Sequence, residues 1–252
     1  MDPLSAKPAR HAGDVTEVHL FEGPYVTTRG ERLTVPQGSK RLLAFLALRR
    51  GRVTRAYAAG ALWPLGGDNR AAGNLRSALW RLRRVGIDVV VADKWSLGLA
   101  DEVVVDVERL GEWARRLING AHHADDLSLT HIPPDALDLL PGWYDDWAII
   151  ERERMRQRML HAMEALSRHL TVLCHHAEAV EVAISAVAAE PLRETAQLTL
   201  LEAHLSQGNW AEADRSFDAF RSLIRRELGV NPSDELSRMI AAARPERVAV
   251  SR

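Results

Sequence analysis

The second half of the chain contains the same short motif twice, with a spacing of 34 residues. Ala177-Glu178-Ala179 and Ala211-Glu212-Ala213 each begin a stretch in which apolar residues recur at helical spacing. Glu190-Pro191 ends the first of these helices, and Gly208-Asn209 forms a turn before the second. A period of about 34 residues with two helices per unit is typical of tetratricopeptide repeats. The spacing therefore predicts a stack of helix pairs with a concave binding face.

The helical pattern continues on both sides of this repeat. Two repeat units are too few to stand alone, so neighbouring helices are expected to complete the stack. We assign residues 107–243 to one all-α, tetratricopeptide-like domain and residues 244–252 to a tail. Within this half, helices are predicted over 106–119, 145–170, 176–189, 193–207, 210–228 and 233–242, and a loop-rich stretch over 120–142.

The first part of the chain has a different pattern, in which short strands precede and follow three helices. Ser39 is expected to cap the first helix and Thr54 the second. The third helix is expected to begin at Asp68 or Asn69 and to run to about Val85. Strands are predicted near 18–26 and 33–35 with a turn over 28–31, and a β-hairpin or small sheet is predicted from 89–91, 95–97 and 103–105.

This order of strands, three helices and a hairpin predicts a winged helix-turn-helix domain over residues 15–106. In such domains the third helix is the DNA-reading element. Residues 1–14 show no periodicity and are expected to form a disordered tail. The chain is thus expected to be mostly α, with an α+β winged helix-turn-helix domain followed by an all-α repeat domain.

The region of the three helices is strongly basic, although the net charge of the whole chain is only −1. Between Lys40 and Gly86 there are eleven basic residues and one acid, Asp68, which gives this segment a net charge of +10. The densest cluster of arginines falls in the third helix. Concentrated positive charge in an otherwise neutral protein is typical of a face that binds a polyanion. The alternative interpretation is a solvated, arginine-rich surface.

Composition argues against several classes of protein. The chain has 46% hydrophobic and 27% charged residues, which is the balance of a soluble globular protein. No apolar run approaches the ~20 residues that a membrane span requires, and the first residues do not resemble a signal peptide. Cys174 is the only cysteine, so an internal disulfide cannot form. We therefore expect a cytoplasmic protein.

No constellation of residues predicts an enzyme, a cofactor site or a metal site. His122-His123 with Asp125-Asp126 lies in a polar loop that has no second cluster. His175-His176 lies beside Cys174, and adjacent residues on a helix point in different directions. The sequence also has no phosphate-binding glycine loop and no nucleophile elbow. We expect a protein that acts by binding and needs no cofactor.

The third helix resembles the recognition helix of the Streptomyces antibiotic regulatory protein family in the segment Asn74-Leu75-Arg76-Ser77-Ala78-Leu79-Trp80-Arg81-Leu82-Arg83-Arg84. The C-terminal half resembles the bacterial transcriptional activator domain that accompanies this helix. The motifs Glu190-Pro191-Leu192-Arg193-Glu194, Gly208-Asn209-Trp210-Ala211-Glu212-Ala213 and Glu227-Leu228-Gly229-Val230-Asn231-Pro232 stand in that domain's order. The resemblance covers about residues 17–242.

This resemblance implies a transcriptional activator that binds direct-repeat sites near promoters and recruits RNA polymerase. The family's N-terminal domain is similar to the winged helix of two-component response regulators. Trp80 is a departure, because many winged helices carry a small polar residue at this position. The implied partners are double-stranded DNA, a second copy of the chain on the neighbouring repeat, and RNA polymerase.

The face of the third helix opposite its apolar stripe supplies the candidates for DNA contact. The stripe consists of Ala71, Leu75, Leu79 and Leu82. Arginine suits a bidentate contact to guanine, and asparagine suits adenine. The candidates for base reading are Asn74, Arg76, Ser77 and Arg81, and the candidates for phosphate contact are Lys40, Arg41, Arg70, Arg83, Arg84 and Lys94.

These candidates have alternative roles. Arg81 or Arg83 can instead pair with an acid of the second domain, and Trp80 can pack against a neighbouring helix. Lys94 can be a solvated residue of the turn. The alternative function is a tetratricopeptide-type interaction scaffold whose winged domain contacts protein rather than DNA. The segment of charge +10 argues against that alternative, because a protein-docking wing does not need such concentrated charge.

Overall fold

The computed structural model of the chain describes residues 15–49, 51–133 and 135–243. The tails that we expect over 1–14 and 244–252 lie outside these residues. No helix among the described residues is both long enough and apolar enough to cross a membrane.

The chain divides into two compact units. The first contains the described residues up to Leu110 together with a segment from the middle of the chain, Asp138–Met155. The second contains Gly111–Leu137 and the described residues from Arg156 onward. The middle segment is therefore part of the first unit.

Short strands flank three helices in the first unit, as predicted. Two further helices, α4 and α5, contribute residues to both units. In chain order the elements are β1 (Thr16–His19), β2 (Tyr25–Thr28), β3 (Glu31–Leu33), α1 (Gln37–Leu48), β4 (Val53–Thr54), α2 (Arg55–Leu62), α3 (Asp68–Arg84), β5 (Val90–Ala92), β6 (Ser96–Leu99), β7 (Val104–Val105), α4 (Asp106–Ile118) and α5 (Asp146–Val172).

A four-stranded sheet with the order β3-β2-β1-β7 begins the first unit. Strands β1 to β3 are antiparallel neighbours, whereas β7 pairs parallel with β1, so that Val18 lies beside Val26 on one side and Val105 on the other. The three valines are almost fully buried. The prediction that residues 103–105 belong to the hairpin is wrong for β7. The buried carboxylate of Asp106 accepts a hydrogen bond from the backbone N–H of Leu20, which ties the end of β7 to the first sheet.

Helix α1 begins earlier than predicted, because Pro36 and not Ser39 occupies its N-cap position. The fixed φ of proline suits a helix start, where a backbone N–H is not needed. Ser39 lies inside α1 and is fully buried, and its hydroxyl donates a 2.8 Å hydrogen bond to the carbonyl of Ala78. The serine therefore joins α1 to α3 instead of capping a helix.

Helices α2 and α3 confirm the predicted helix-turn-helix. Thr54 caps α2 as expected, since its side chain accepts a hydrogen bond from the backbone N–H of Tyr57. Gly67 precedes α3, whose core side consists of Ala71, Leu75, Ala78, Leu79 and Leu82. This is the predicted apolar stripe with one additional alanine.

Strands β5 and β6 form the antiparallel hairpin of a wing, and β4 completes a three-stranded sheet with the order β4-β6-β5. Gly98 in β6 lies against the chain before β4, where an added Cβ atom would be 2.9 Å from the carbonyl oxygen of Gly51. Only glycine allows this close approach without a backbone shift. The sheet thus holds the wing at a fixed position beside the helices of this unit.

The middle segment packs on α1. The ring of Trp147 meets the ring of Phe45 edge to face, with 5.4 Å between ring centroids. Arg41 of α1 forms an ion pair with Asp145. The guanidinium group of Arg152 donates hydrogen bonds to the carbonyl groups of Leu139, Leu140 and Trp143. The hydrogen bonds of Arg152 hold the segment together, and the contacts of Trp147 and Asp145 with α1 connect it to the first unit.

The second unit is helical, and its helices match those predicted to within a few residues. Besides its parts of α4 and α5, it contains two short 3₁₀ helices, Ala124–Leu127 and Leu129–His131, and the helices α6 (His176–Ala189), α7 (Glu194–Ser206), α8 (Trp210–Leu228) and α9 (Asp234–Ala243).

The 34-residue repeat has an equivalent position in both copies. Ala179 in α6 and Ala213 in α8 are fully buried, and each is the last residue of its Ala-Glu-Ala motif. A small residue at this position allows α6 and α8, the first helices of the two repeats, to pack closely against their neighbouring helices. Gly229 ends α8 in the left-handed conformation with φ of 70°, which satisfies a carbonyl of the last turn.

Polar contacts within the second unit connect its helices at buried positions. The carboxylate of Glu164 in α5 is almost fully buried and accepts hydrogen bonds from Arg193, at 2.6 Å, and from the hydroxyl of Thr195, at 2.7 Å. Asp126 is also buried, and both of its carboxylate oxygens accept from the guanidinium group of Arg116. Because a buried charge needs such a partner, these pairs fix the packing of the helices that carry them.

Candidate nucleic-acid interface

Helix α3 has one buried side and one basic side. Ser39 binds its Ala78 carbonyl and the apolar stripe faces the core, so the orientation of α3 in the first unit is fixed. The opposite side carries five arginines, Arg70, Arg76, Arg81, Arg83 and Arg84, and all five are exposed. Three of them lie in the last turn, where positive charge is favourable at the negative end of the helix dipole.

These arginines have no acidic partners within the described part of the chain. Among the residues that the structure describes, none of the five forms an ion pair or a hydrogen bond with another side chain. Arginines outside α3, such as Arg41, Arg116 and Arg193, are paired with carboxylates. The positive charge of α3 is therefore available to an external anion.

Three of the four base-reading candidates, Arg76, Ser77 and Arg81, lie exposed on the same helix. The guanidinium group of Arg81 extends over the first turn of α1, where an added Cβ atom at Gly38 would lie 2.5 Å from Nη1. Gly38 thus leaves the space that the Arg81 side chain occupies. Arg76 lines a cavity of about 380 Å³ between α2 and α3, opposite Arg55.

Asn74, the fourth base-reading candidate, is in a different position. It is half-buried and lines a second cavity of about 380 Å³, together with Arg70 and the loop that joins α2 to α3. Leu65 in this loop is fully exposed. The structure thus places Asn74 beside the loop before α3, whereas Arg81 extends over α1 and Arg76 lies beside α2.

Two candidates for phosphate contact, Lys40 and Arg41, lie in the first half of α1 and are half-buried. Arg41 is paired with Asp145, which neutralises its charge within the unit. A phosphate contact by Arg41 therefore requires that this ion pair opens or is shared. Both residues line a cavity of about 440 Å³ with Trp143 and Tyr144.

The tip of the wing is organised by Asp93. Its Oδ1 accepts hydrogen bonds of 2.7 Å from the backbone N–H groups of Trp95 and Ser96, and its Oδ2 accepts from Arg52 at 2.6 Å. The hydrogen bonds from Ser96 and Trp95 lower the pKa of Asp93 below its ordinary value. This turn presents Lys94 outward, with its Nζ atom 4.8 Å from the centroid of the exposed Trp95 ring.

Sequence reasoning missed Arg55, Asp93 and Trp95 as residues of this surface. Arg55 begins α2 and donates to the backbone carbonyl of Asp93 at 3.2 Å, which joins the helix to the wing. The signal that could have found Asp93 is its position in a turn just before a strand, where aspartate side chains commonly bind backbone N–H groups. Trp95 follows in the same turn.

Trp80 lies on the exposed side of α3, and 59% of its side chain is accessible. The guanidinium carbon of Arg84, one turn later, lies 5.1 Å from the centroid of its ring. Such a distance is within the range of cation–π contacts. The aromatic ring thus occupies the middle of the arginine-rich surface.

No group of three or more histidine, cysteine, aspartate or glutamate side chains within the described residues is arranged to hold a metal ion. The rings of His122 and His169 are in tilted contact, with 4.0 Å between their centroids. Burial, followed by the charge of His169, lowers the pKa of His122. Asp126, from the same loop, is held by Arg116. His122 and Asp126 of this loop are thus engaged in contacts within the second unit.

Residues 135–244 match the family of bacterial transcriptional activator domains. The regulatory protein AfsR of Streptomyces griseus is 32% identical over 239 residues, which is 86% of this chain and 23% of that protein. AfsR of Streptomyces coelicolor is 31% identical over 230 residues, with the same coverage of 86% and 23%. The chain therefore spans about a quarter of the length of the curated relatives it matches.

A solved structure, Mycobacterium tuberculosis EmbR in complex with a low affinity phosphopeptide, has a similar fold. The TM-score is 0.69, and the match covers 91% of this chain and 65% of EmbR. The sequences are 17% identical, so this likeness concerns the fold alone. It confirms the predicted fold class of a winged helix-turn-helix followed by a helical repeat domain.

Proposed function

The chain belongs to the Streptomyces antibiotic regulatory protein family of bacterial transcription regulators, and from this premise we propose that it is a sequence-specific DNA-binding activator. It binds direct repeats near promoters and recruits RNA polymerase. It acts in the cytoplasm, by binding and not by catalysis. The helix α3 enters the major groove, and the wing contacts the neighbouring backbone or minor groove.

The observation that carries this proposal is the set of exposed arginines on α3 that have no acidic partner among the described residues. Like charges held close together on one helix repel each other, so the arrangement is unfavourable in the isolated protein. A DNA duplex, with a negative charge every ~1.7 Å along its axis, relieves this repulsion. A scaffold that bound only proteins would not need such concentrated charge.

The helix and the wing divide the contacts between them. An α-helix fits the major groove, where Arg76 and Arg81 can each bind the O6 and N7 atoms of a guanine. Arg70, Arg83, Arg84 and Lys94 contact phosphates and fix the position of the helix. The hydrogen bonds of Asp93 support this role of the wing, because they hold the turn that carries Lys94.

Two protomers bind side by side on successive repeats, about one helical turn apart, and thereby bind cooperatively. This part of the proposal is supported by the presence of one helix-turn-helix and one large helical unit in each chain. Sedimentation of the protein with a two-repeat duplex tests it. Single protomers on the duplex, with no cooperativity, would contradict it.

The proposal is tested by fluorescence anisotropy with fragmented genomic DNA over a series of salt concentrations. Selective binding is expected, and it should weaken in Arg76→Ala and Arg81→Ala. Arg215→Ala is the matched control, because Arg215 is an exposed arginine of α8 that pairs with Glu212. Absence of selective binding by the wild-type protein at low salt would overturn the proposed function.

A further inference from the structure

Trp80 is the one large apolar side chain on the exposed side of α3, within the part of the chain that the structure describes. The core of the helix is complete without it, because the five buried residues of the stripe lie on the opposite side. We propose that Trp80 is a specificity-determining residue that contacts the C5-methyl group of a thymine in the major groove. This inference rests on the proposed function.

The position of Trp80 on the helix brings it to the bases together with the other candidates. Residues three and four apart lie on the same face of an α-helix. Ser77 precedes Trp80 by three residues, Arg76 precedes it by four, and Arg84 follows it by four. A docking that brings Arg76 and Ser77 into the groove therefore brings the indole ring with them.

The contact with Arg84 restrains the indole ring in an exposed position on α3. The guanidinium carbon of Arg84 lies 5.1 Å from the ring centroid and covers one face of the indole. A cation in this position restrains the side chain while 59% of it stays accessible. The ring is thus held on the surface at a small entropic cost, since tryptophan has only two side-chain torsions. Arg84 keeps its charge for a phosphate.

The chemistry of the indole ring selects thymine among the four bases. Its N–H group is a donor and the ring has no acceptor, so it cannot form a bidentate pair with a base edge. The major-groove edge of thymine presents an apolar methyl group at C5, whereas cytosine carries only a hydrogen atom on that carbon and the purine edges present the N7 acceptor. An apolar ring therefore gains most from contact with thymine. Packing on a deoxyribose would give no base preference.

The test replaces thymine by deoxyuridine, which removes only the methyl group. A duplex selected by the wild-type protein is resynthesised with each thymine replaced in turn, and the dissociation constants are measured. Loss of one buried methyl group is expected to weaken binding about fourfold at one position. In Trp80→Ala the same replacement should have no effect. Trp95→Ala is the matched control, because it removes another exposed tryptophan and should keep the fourfold response.

The possible results separate this inference from the proposed function. If no thymine is sensitive in the wild type, or if Trp80→Ala keeps the sensitivity, Trp80 does not read a thymine although the protein binds DNA. If Trp80→Ala lowers the affinity for all sequences equally, the ring contacts the backbone and the inference is wrong. If the wild-type protein selects no duplex, the proposed function itself fails. Trp80→Gln is a second variant that also removes the indole ring. Thermal unfolding of each variant checks that it is folded.

Discussion

The proposed function assigns different DNA contacts to single arginines of α3. Arg76→Ala is expected to cost about 1–3 kcal/mol in binding and to relax the preference at one base pair. Arg83→Ala should weaken all sequences alike and reduce the slope of log K against log[salt] by about 1, because one phosphate contact is lost. Binding to a library of single-base variants over a salt series measures both quantities. Equal loss on every sequence in Arg76→Ala would contradict its role as a base reader.

Asp126 makes the second unit sensitive to acid. The hydrogen bonds from Arg116 are the main cause that lowers the pKa of this buried carboxyl well below its ordinary range. A carboxyl group with a lowered pKa stabilises the fold above its unfolded pKa of about 4, and this stabilisation is lost as the pH falls through the folded pKa. Asp126→Asn is therefore expected to lower the free energy of unfolding by about 1–2 kcal/mol at pH 7.

Urea denaturation of both proteins at pH 7 and near pH 2 checks this prediction. The difference between the wild type and Asp126→Asn should shrink as the acid removes the charge of the wild-type side chain. Asp125→Asn is the control, because Asp125 is an exposed neighbour in the same 3₁₀ helix. A difference that stays constant with pH would show that the asparagine acts through packing and not through charge.

Residue roles that depend on local geometry could be predicted, and those that depend on distant partners could not. Thr54 caps α2 because the threonine hydroxyl reaches an N–H group three residues later. Ser39 has the same chemistry, but its partner is a carbonyl 39 residues away in another helix. The exposed positions of Arg76, Ser77 and Arg81 follow from helix periodicity alone, whereas the partial burial of Asn74 depends on the path of the loop before α3.

Among the elements, the start of α5 has a role that its sequence pattern does not indicate. A helix over 145–170 was expected from periodicity, but the residues of its first turns pack on α1 within the first unit. The strand β7 is a similar case. Its two valines look like a partner for the preceding hairpin, and they pair instead with β1, because the choice between two sheets depends on contacts that are distant in sequence.

Trp147→Ala is expected to lower the free energy of unfolding of the first unit by about 1–3 kcal/mol. The ring is half-buried, so the loss is smaller than for a fully buried aromatic residue. The edge-to-face contact with Phe45 is lost as well. Chemical denaturation of the whole chain measures the change. Tyr144→Ala, at a largely exposed aromatic residue of the same segment, should have little effect.

For the whole molecule, the division into units predicts which fragments are stable. A fragment of residues 15–110 lacks Trp147, Asp145 and the buried Leu139 and Leu140, whereas a fragment of residues 15–155 keeps them. The shorter fragment is expected to unfold at a temperature lower by about 10 °C or more, since roughly 1 kcal/mol shifts the midpoint of a small domain by 4–8 °C. Equal midpoints in calorimetry would contradict this expectation.

The insertion of Asp138–Met155 into the first unit also limits how such proteins can be recombined. A chimaera that exchanges the winged helix-turn-helix at a single junction near residue 106 would join α1 of one parent to the Trp147 and Asp145 of another. The rings of Phe45 and Trp147 and the charges of Arg41 and Asp145 would then have to match by chance. A functional transplant must carry two separate stretches of chain, and changes in α1 can persist only when the middle segment accommodates them.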